Sequence, residues 1–235
     1  MRAMRQLTAA LAAGITLAAA SAQAQLPAAP VPPDVLISTL TGEVLGVIRR
    51  DAAAERPTDF ALLVETRILP VFDFEHMTRL AAARNWRLAS AEQQAVLVAQ
   101  FRTLLVRTYS SALSSYRDEP IEYKPLRLAP GETDVLVRSV VRRRGAEPLS
   151  IDYDMESTPA GWKVYDVKIA GVSMVMTYRE TFAAEVRAGG IERLIKSLSE
   201  KNRQNEAPAE RARGAVLAPV LMLYLGEKTG VASAR

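Results

Sequence analysis

Between about positions 34 and 116 the apolar residues of this chain recur every three or four positions; from 135 to 169 they recur every second one. That change of period predicts a helical half followed by a sheet. In the first half, Ile37, Leu40, Val44, Val47 and Ile48 form one face of a helix that opens at Asp34 and ends near Asp51. Thr58 or Asp59 opens a second helix with Leu63, Val64 and Ile68 facing inward, stopped by Pro70. Asp73 caps a short third helix carrying Met77, Leu80 and Ala81. Ser90 followed by Gln93 is a capping box. It opens the longest helix, to about Tyr116, with Leu97, Phe101, Leu104, Leu105, Thr108 and Tyr109 on one side.

From Pro120 the reading changes. Positions 121–128 form a weak strand bounded by prolines, which suits a sheet edge. Val135, Val137 and Val141 alternate with Leu136, Arg138 and Arg142, and Arg143-Arg144-Gly145 reads as a turn. Leu149, Ile151, Tyr153 and Met155 alternate with Ser150, Asp152, Asp154 and Glu156, the cleanest strand pattern in the chain. After the turn Thr158-Pro159-Ala160-Gly161, a strand over 162–169 places Tyr165, Val167 and Ile169 on one face and Asp166 and Lys168 on the other. Beyond Gly171, Val175, Tyr178, Phe182 and Val186 predict a helix over 172–187. Gly189-Gly190 stops it, and Ile191, Leu194, Ile195 and Leu198 predict a last short helix. The sum is an α+β fold: a twisted antiparallel sheet of about four strands in meander order, one face covered, cupped by several helices.

Both ends fall outside that pattern. Arg2 and Arg5, an Ala- and Leu-rich run over 7–20 and the small residues of Ala22-Gln23-Ala24 predict a secretory signal peptide cleaved after Ala24. The run is too short to span a bilayer. Positions 25–33, QLPAAPVPP, are a proline-rich linker, the folded domain occupies 34–201, and 202–235 is a loose C-terminal extension. Within the extension, AVLAPVLMLYL over 215–225 is apolar but short and interrupted by Pro219. It reads as a loose tail, a cover for a pocket mouth or an interfacial anchor.

Charge and chemistry narrow the function by exclusion. Removing Arg2 and Arg5 lowers Lys and Arg from 30 to 28 against 26 acids, a net charge of +2, too little to argue for a polyanion. Export also argues against nucleic acid. With no cysteine, disulfides and thiol chemistry are impossible, and stability must come from core packing. His76 is the single histidine and sits at a helix start, where a surface or capping role is commonest. No i, i+4 pair of metal ligands includes it, and nucleotide-binding or nucleophile-elbow motifs are missing. Asp152, Asp154 and Glu156 share the polar face of a half-buried strand and read as solvated rather than as a catalytic pair. Asp166 either fixes the junction between sheet and helix or faces solvent. Arg142, Arg143 and Arg144 form a basic hairpin tip that could dock to acidic partners or headgroups. Met174 and Met176 suit an adaptable contact or plain core.

Four stretches carry a resemblance: FDFEHMTRLAAARNWRLASAEQQ (72–94), FRTLLVRTYSSAL (101–113), WKVYDVKIAGVSMVMTYRETF (162–182) and GGIERLIKSL (189–198). They resemble the MlaC family of periplasmic phospholipid shuttles, also called toluene-tolerance auxiliary proteins, over about 34–201. The most specific piece is the junction Tyr165-Asp166-Val167 to Gly171-Val172-Ser173. The resemblance implies acyl chains held between sheet and helices, no enzymatic chemistry and no cofactor. It also implies exchange with the MCE-domain protein of an inner-membrane ABC transporter and with an outer-membrane lipoprotein bound to a porin, maintaining outer-membrane lipid asymmetry. A monomer is expected. Candidate lipid-lining residues, from inward strand faces and facing helices, are Phe101, Leu105, Tyr109, Val137, Ile151, Tyr153, Tyr165, Val167, Val175 and Tyr178; sequence does not separate lining from solid core. Alternatives are a carrier of hopanoids or other apolar lipids, an envelope lipid hydrolase using His76 or a carboxylate as base, and a purely structural adaptor.

Overall fold

A computed structural model describes residues 31–114, 119–143 and 145–206. The expected signal peptide, most of the linker, Arg144 and the tail beyond 206 lie outside the described residues.

Helix α1 (Pro33–Ala53) starts one residue before Asp34. Pro33 takes the first helical position, where its missing N–H is one that has no helical partner in any case, and the N-cap residue Pro32 provides no side-chain cap. Pro33, Ile37, Val44 and Leu45 are its buried residues. Asp59 caps α2 (Phe60–Leu63), accepting from Leu62 N–H at 2.9 Å. The expected single helix then loosens: Val64–Ile68 is a π turn and Leu69–Val71 a 3-10 turn around Pro70. Asp73 caps α3 (Phe74–Ala82) through His76 N–H at 2.8 Å. The capping box of α4 (Ala91–Ser114) is complete, with Gln93 N–H to Ser90 Oγ at 3.2 Å and Ser90 N–H to Gln93 Oε1 at 2.9 Å.

The sheet has five antiparallel strands in sequence order: β1 (Ile121–Tyr123), β2 (Asp134–Val141), β3 (Leu149–Thr158), β4 (Gly161–Ile169) and β5 (Val172–Ser173). β1 is shorter than the expected 121–128, because Pro125 cannot donate to the ladder. β5 is the fifth strand, lying where a helix was expected. Ala170 and Gly171, at φ +50° and +80°, form the two-residue turn of a hairpin, so the chain reverses as a ribbon and pairs Ile169 with Val172. A 3-10 turn (Met176–Tyr178) leads into α5 (Arg179–Glu206). Gly190, at φ +72° and ψ −168°, breaks α5 in two, in a conformation open in practice only to glycine.

Strand β4 departs from plain alternation. Met155 pairs with Val164 and Asp154 with Asp166, so Tyr165 is the extra residue of a β-bulge. The bulge sends Tyr165 to the opposite face from Val167 and Ile169, correcting the single face expected for the three. Trp162, Val164 and Val167 all turn into the interior.

That interior falls into two apolar clusters. One lies among the helices: Met77, Trp86, Leu97, Phe101, Phe182 and Leu194 are central to it. Phe101 meets the rings of Tyr178 and Phe182 edge-on, each at 5.1 Å between centroids. The other lies on one face of the sheet, where Val135, Val137, Met155 and Val164 are covered by Ile37 of α1. Phe72 packs against both.

Candidate functional site

The seam between the two clusters is the candidate site. Of the expected lining residues, Phe101, Leu105 and Val175 are buried in the helical cluster, with Tyr109 and Tyr178 partly buried against it. Val137 and Val167 are buried in the sheet cluster, with Ile151 and Tyr153 packed beside them. Register makes Val137, Tyr153 and Val167 one row across three strands, and Ser139, Ile151 and Ile169 the next. Tyr165 stands apart from both groups. Its ring stacks on His76 at 4.3 Å between centroids, and its hydroxyl donates to Asp134 Oδ2 at 2.9 Å.

Asp166 links the two halves, the first of the two roles open to it. It is 3% exposed. Its Oδ1 accepts the N–H of Val167, in the sheet cluster, at 2.8 Å and that of Val175, in the helical cluster, at 3.1 Å. Its Oδ2 accepts the Ser173 hydroxyl, which in turn accepts Met176 N–H at 2.8 Å and so opens the 3-10 turn before α5. Burial raises the Asp166 pKa above the usual carboxylate value, against the lowering effect of these three donors.

The tyrosines beside the seam are shifted in the same direction. Burial raises the Tyr109 hydroxyl pKa first, and its Tyr178 neighbour adds to the shift. Burial likewise raises Tyr178 and Tyr153. These phenols stay neutral, and their rings pack against the two apolar clusters.

Two cavities stand out among the described residues. One, of about 10 Å³, lies between α4 and α5 against Leu104, Phe182 and Leu194 and holds no more than a water. The other is an open groove of about 190 Å³ between α1 and the π turn. Both are below the roughly 300–1,000 Å³ usual for small-molecule sites.

His76 is better anchored than a bare surface residue. Its Nδ1 lies 2.6 Å from Glu156 Oε1, joining α3 to the polar face of the sheet across 80 positions of sequence. Lys168 pairs with Asp154 at 2.8 Å on that same face, so these carboxylates are engaged in pairing. No group of three metal-ligating side chains occurs among the described residues, and no described helix is long and apolar enough to cross a membrane. Sequence reasoning missed Phe72 as a bridge between clusters, although its place between Pro70 and the Asp73 cap marks it as the apolar residue of a short extended link.

A five-stranded meander whose inner face and attached helices each carry an apolar cluster, joined by a buried carboxylate, defines an α+β domain built around an apolar seam. The model of the MlaC protein family matches residues 38–200, and the chain belongs to that family. Toluene tolerance protein ttg2D of Pseudomonas putida is 25% identical over 166 residues, 69% of this chain and 76% of that protein. The intermembrane phospholipid transport system binding protein MlaC of Haemophilus influenzae is 22% identical over 151 residues, 63% of this chain and 71% of that protein. Among solved structures, a phospholipid-binding protein of Ralstonia solanacearum in complex with a phospholipid superposes with a TM-score of 0.67 at 37% identity, over 75% of this chain and 99% of that one.

Proposed function

We propose that this protein is a periplasmic phospholipid carrier that takes acyl chains into the seam between its helical and sheet clusters. The observation that carries the reading is the 37% identity, over nearly the whole of its length, to a protein solved with phospholipid bound. The neutral, apolar character of the seam supports it. The expected lining residues become the proposed contacts: Phe101, Leu105, Tyr109, Val175 and Tyr178 from the helices, and Val137, Ile151, Tyr153 and Val167 from the sheet. Tyr165 leaves that set, because the bulge turns it toward His76.

Transfer needs no chemical step. Two acyl chains hold about 30 methylenes, each worth about 0.8 kcal/mol on leaving water. The gross gain of about 24 kcal/mol exceeds any sensible affinity, but a bilayer offers nearly the same burial. Exchange between membrane and protein is therefore close to balanced. Direction then comes from partners: the MCE-domain protein of an inner-membrane ABC transporter on one side and an outer-membrane lipoprotein–porin complex on the other, with outer-membrane lipid asymmetry as the outcome. The test is lipid extraction from protein purified after periplasmic expression, followed by uptake from phospholipid vesicles. Copurified phospholipid with one or two chains per protein is expected. Protein that is lipid-free and takes no lipid from vesicles would sink the proposal.

A further inference from the structure

Resting on that carrier reading, we propose that the bend of α5 at Gly189-Gly190 is a gate beside the seam, and that Glu185 sets how readily it opens. The bend divides α5 into two limbs, 179–188 and 191–206, and each is tied to a different part of the domain. The first limb follows the 3-10 turn that Ser173 and Asp166 anchor to β4, and its Arg179 donates to Leu80 C=O of α3 at 3.1 Å. The second limb is tied to α4 near both of its ends. Glu192 accepts from Gln93 Nε2 at 2.7 Å, Asn202 Nδ2 donates to Gln100 C=O at 2.9 Å, and Arg107 donates to Asn202 C=O. The water-sized cavity of about 10 Å³ lies between the limbs. Phe182 of the first limb, Leu194 and Leu198 of the second, Leu104 of α4 and Tyr178 line it, and Tyr178 is among the proposed lipid contacts. The bend and the seam therefore share a wall.

The side-chain bonds that cross the bend, among the described residues, all end on Glu185. Its Oε1 accepts the Ser197 hydroxyl at 3.2 Å, and its Oε2 stands 2.9 Å from Arg193 Nε. The second contact is an ion pair without hydrogen-bond alignment, for Oε2 is buried and no donor is directed at it. The stem of Arg193 lies over Gly189, so near that a Cβ on Gly189 would come within 3.0 Å of it. A buried carboxylate oxygen that gives up water without gaining a donor makes the closed bend costly. Opening returns that oxygen to water and gives up only an ion pair whose arginine is 55% exposed. The gate is therefore balanced. Apolar packing of Phe182 with the second limb and the charge of Arg193 close it, and the poorly paired carboxylate opposes closure. Widening the cavity between the limbs gives an acyl chain a way to Tyr178, and the helical cluster is whole again once the bend closes.

The test follows uptake of radiolabelled dioleoylphosphatidylcholine from vesicles of that lipid, together with hydrogen exchange of the amides of 189–195, in the exported protein. Glu185→Leu replaces the carboxylate by an apolar group of similar size, and uptake and amide exchange should both slow about threefold or more. Glu185→Met, with a more pliant side chain, should act alike. Arg193→Met keeps the stem over Gly189 and removes the charge, so both rates should rise about threefold or more. A plain structural tie predicts otherwise, since loss of either partner would then loosen the bend and speed both rates. Changes in the same direction for Glu185→Leu and Arg193→Met, or rates unchanged in both, overturn the gate and leave the carrier reading intact. So does a change in uptake with no change in amide exchange. Loss of the fold in both apolar variants overturns it as well, because the closed state would then need the carboxylate. If the unaltered protein takes no lipid from the vesicles, the carrier reading falls and the gate with it.

Discussion

Replacing Asp166 by alanine should loosen the joint between sheet and helices, and its cost follows from its partners. One carboxylate oxygen accepts two main-chain N–H groups, those of Val167 and Val175, and the other accepts the Ser173 hydroxyl. The hydroxyl sits in a half-buried side chain and can turn toward water. The two amides are buried, and each orphaned donor costs about 1–3 kcal/mol. Removing a carboxylate that burial already disfavours returns part of this, for a net loss of about 2–4 kcal/mol. For a domain of this size that is roughly 5–15 °C in Tm. Asp166→Asn keeps an oxygen for both amides and should cost about 1 kcal/mol at neutral pH. Because burial raises the folded-state pKa, the stability linked to protonating Asp166 is fully present below the ordinary carboxylate pKa and is lost as pH rises through the folded value. The advantage of the native residue over Asp166→Asn should therefore be larger near pH 4 than at pH 7. Calorimetric melts of the three proteins across that range decide it. An alanine variant within about 0.5 kcal/mol of the native protein, or an asparagine variant as damaged as alanine, would refute the reasoning.

Leu105→Trp and Val167→Trp each add bulk to one side of the seam; they should cost about 1–3 kcal/mol and abolish lipid uptake from vesicles in protein that still melts cooperatively. His76→Ala removes a part-exposed contact to Glu156 and a ring stack on Tyr165, so a loss of about 1–2 kcal/mol with unchanged lipid uptake is expected. Lost function with intact fold and lipid binding would instead favour the hydrolase. Deleting residues 206–235 should leave Tm unchanged, on the expectation that the folded domain closes by about 201; a collapse in Tm would make the tail part of the core, and unchanged Tm with faster lipid uptake would assign it as a cover.

The helix starts and the break in α5 were legible in sequence because their signals are local, whereas the loosening of the second helix into π and 3-10 turns was not. The Asp59 and Asp73 caps, the Ser90–Gln93 box and the Gly189-Gly190 break each act within a few residues, and the structure has all of them. The β2 and β3 strands were legible for the same reason, since alternation is a neighbour property. The bulge was not: a single inserted residue shifts the phase of β4, and Tyr165 looks like any apolar strand residue until Met155 is seen opposite Val164. The Ala170-Gly171 hairpin was missed because the helical spacing from Val175 onward overlaps it. Contacts between distant segments, His76 with Glu156 or Phe72 with both clusters, leave no local trace. The candidate lining residues separated into two groups for the same reason: sequence marks a residue as inward without saying which inside it faces.

The divided interior also bears on what happens to the volume a lipid occupies. A void held open inside one continuous core would cost stability whenever nothing filled it. A seam between two clusters, bridged by Phe72 and Asp166, asks less repacking of either when a guest enters or leaves. On the carrier reading, guests of different girth would be accommodated by how far that seam parts, and both clusters would keep their own packing when nothing fills it.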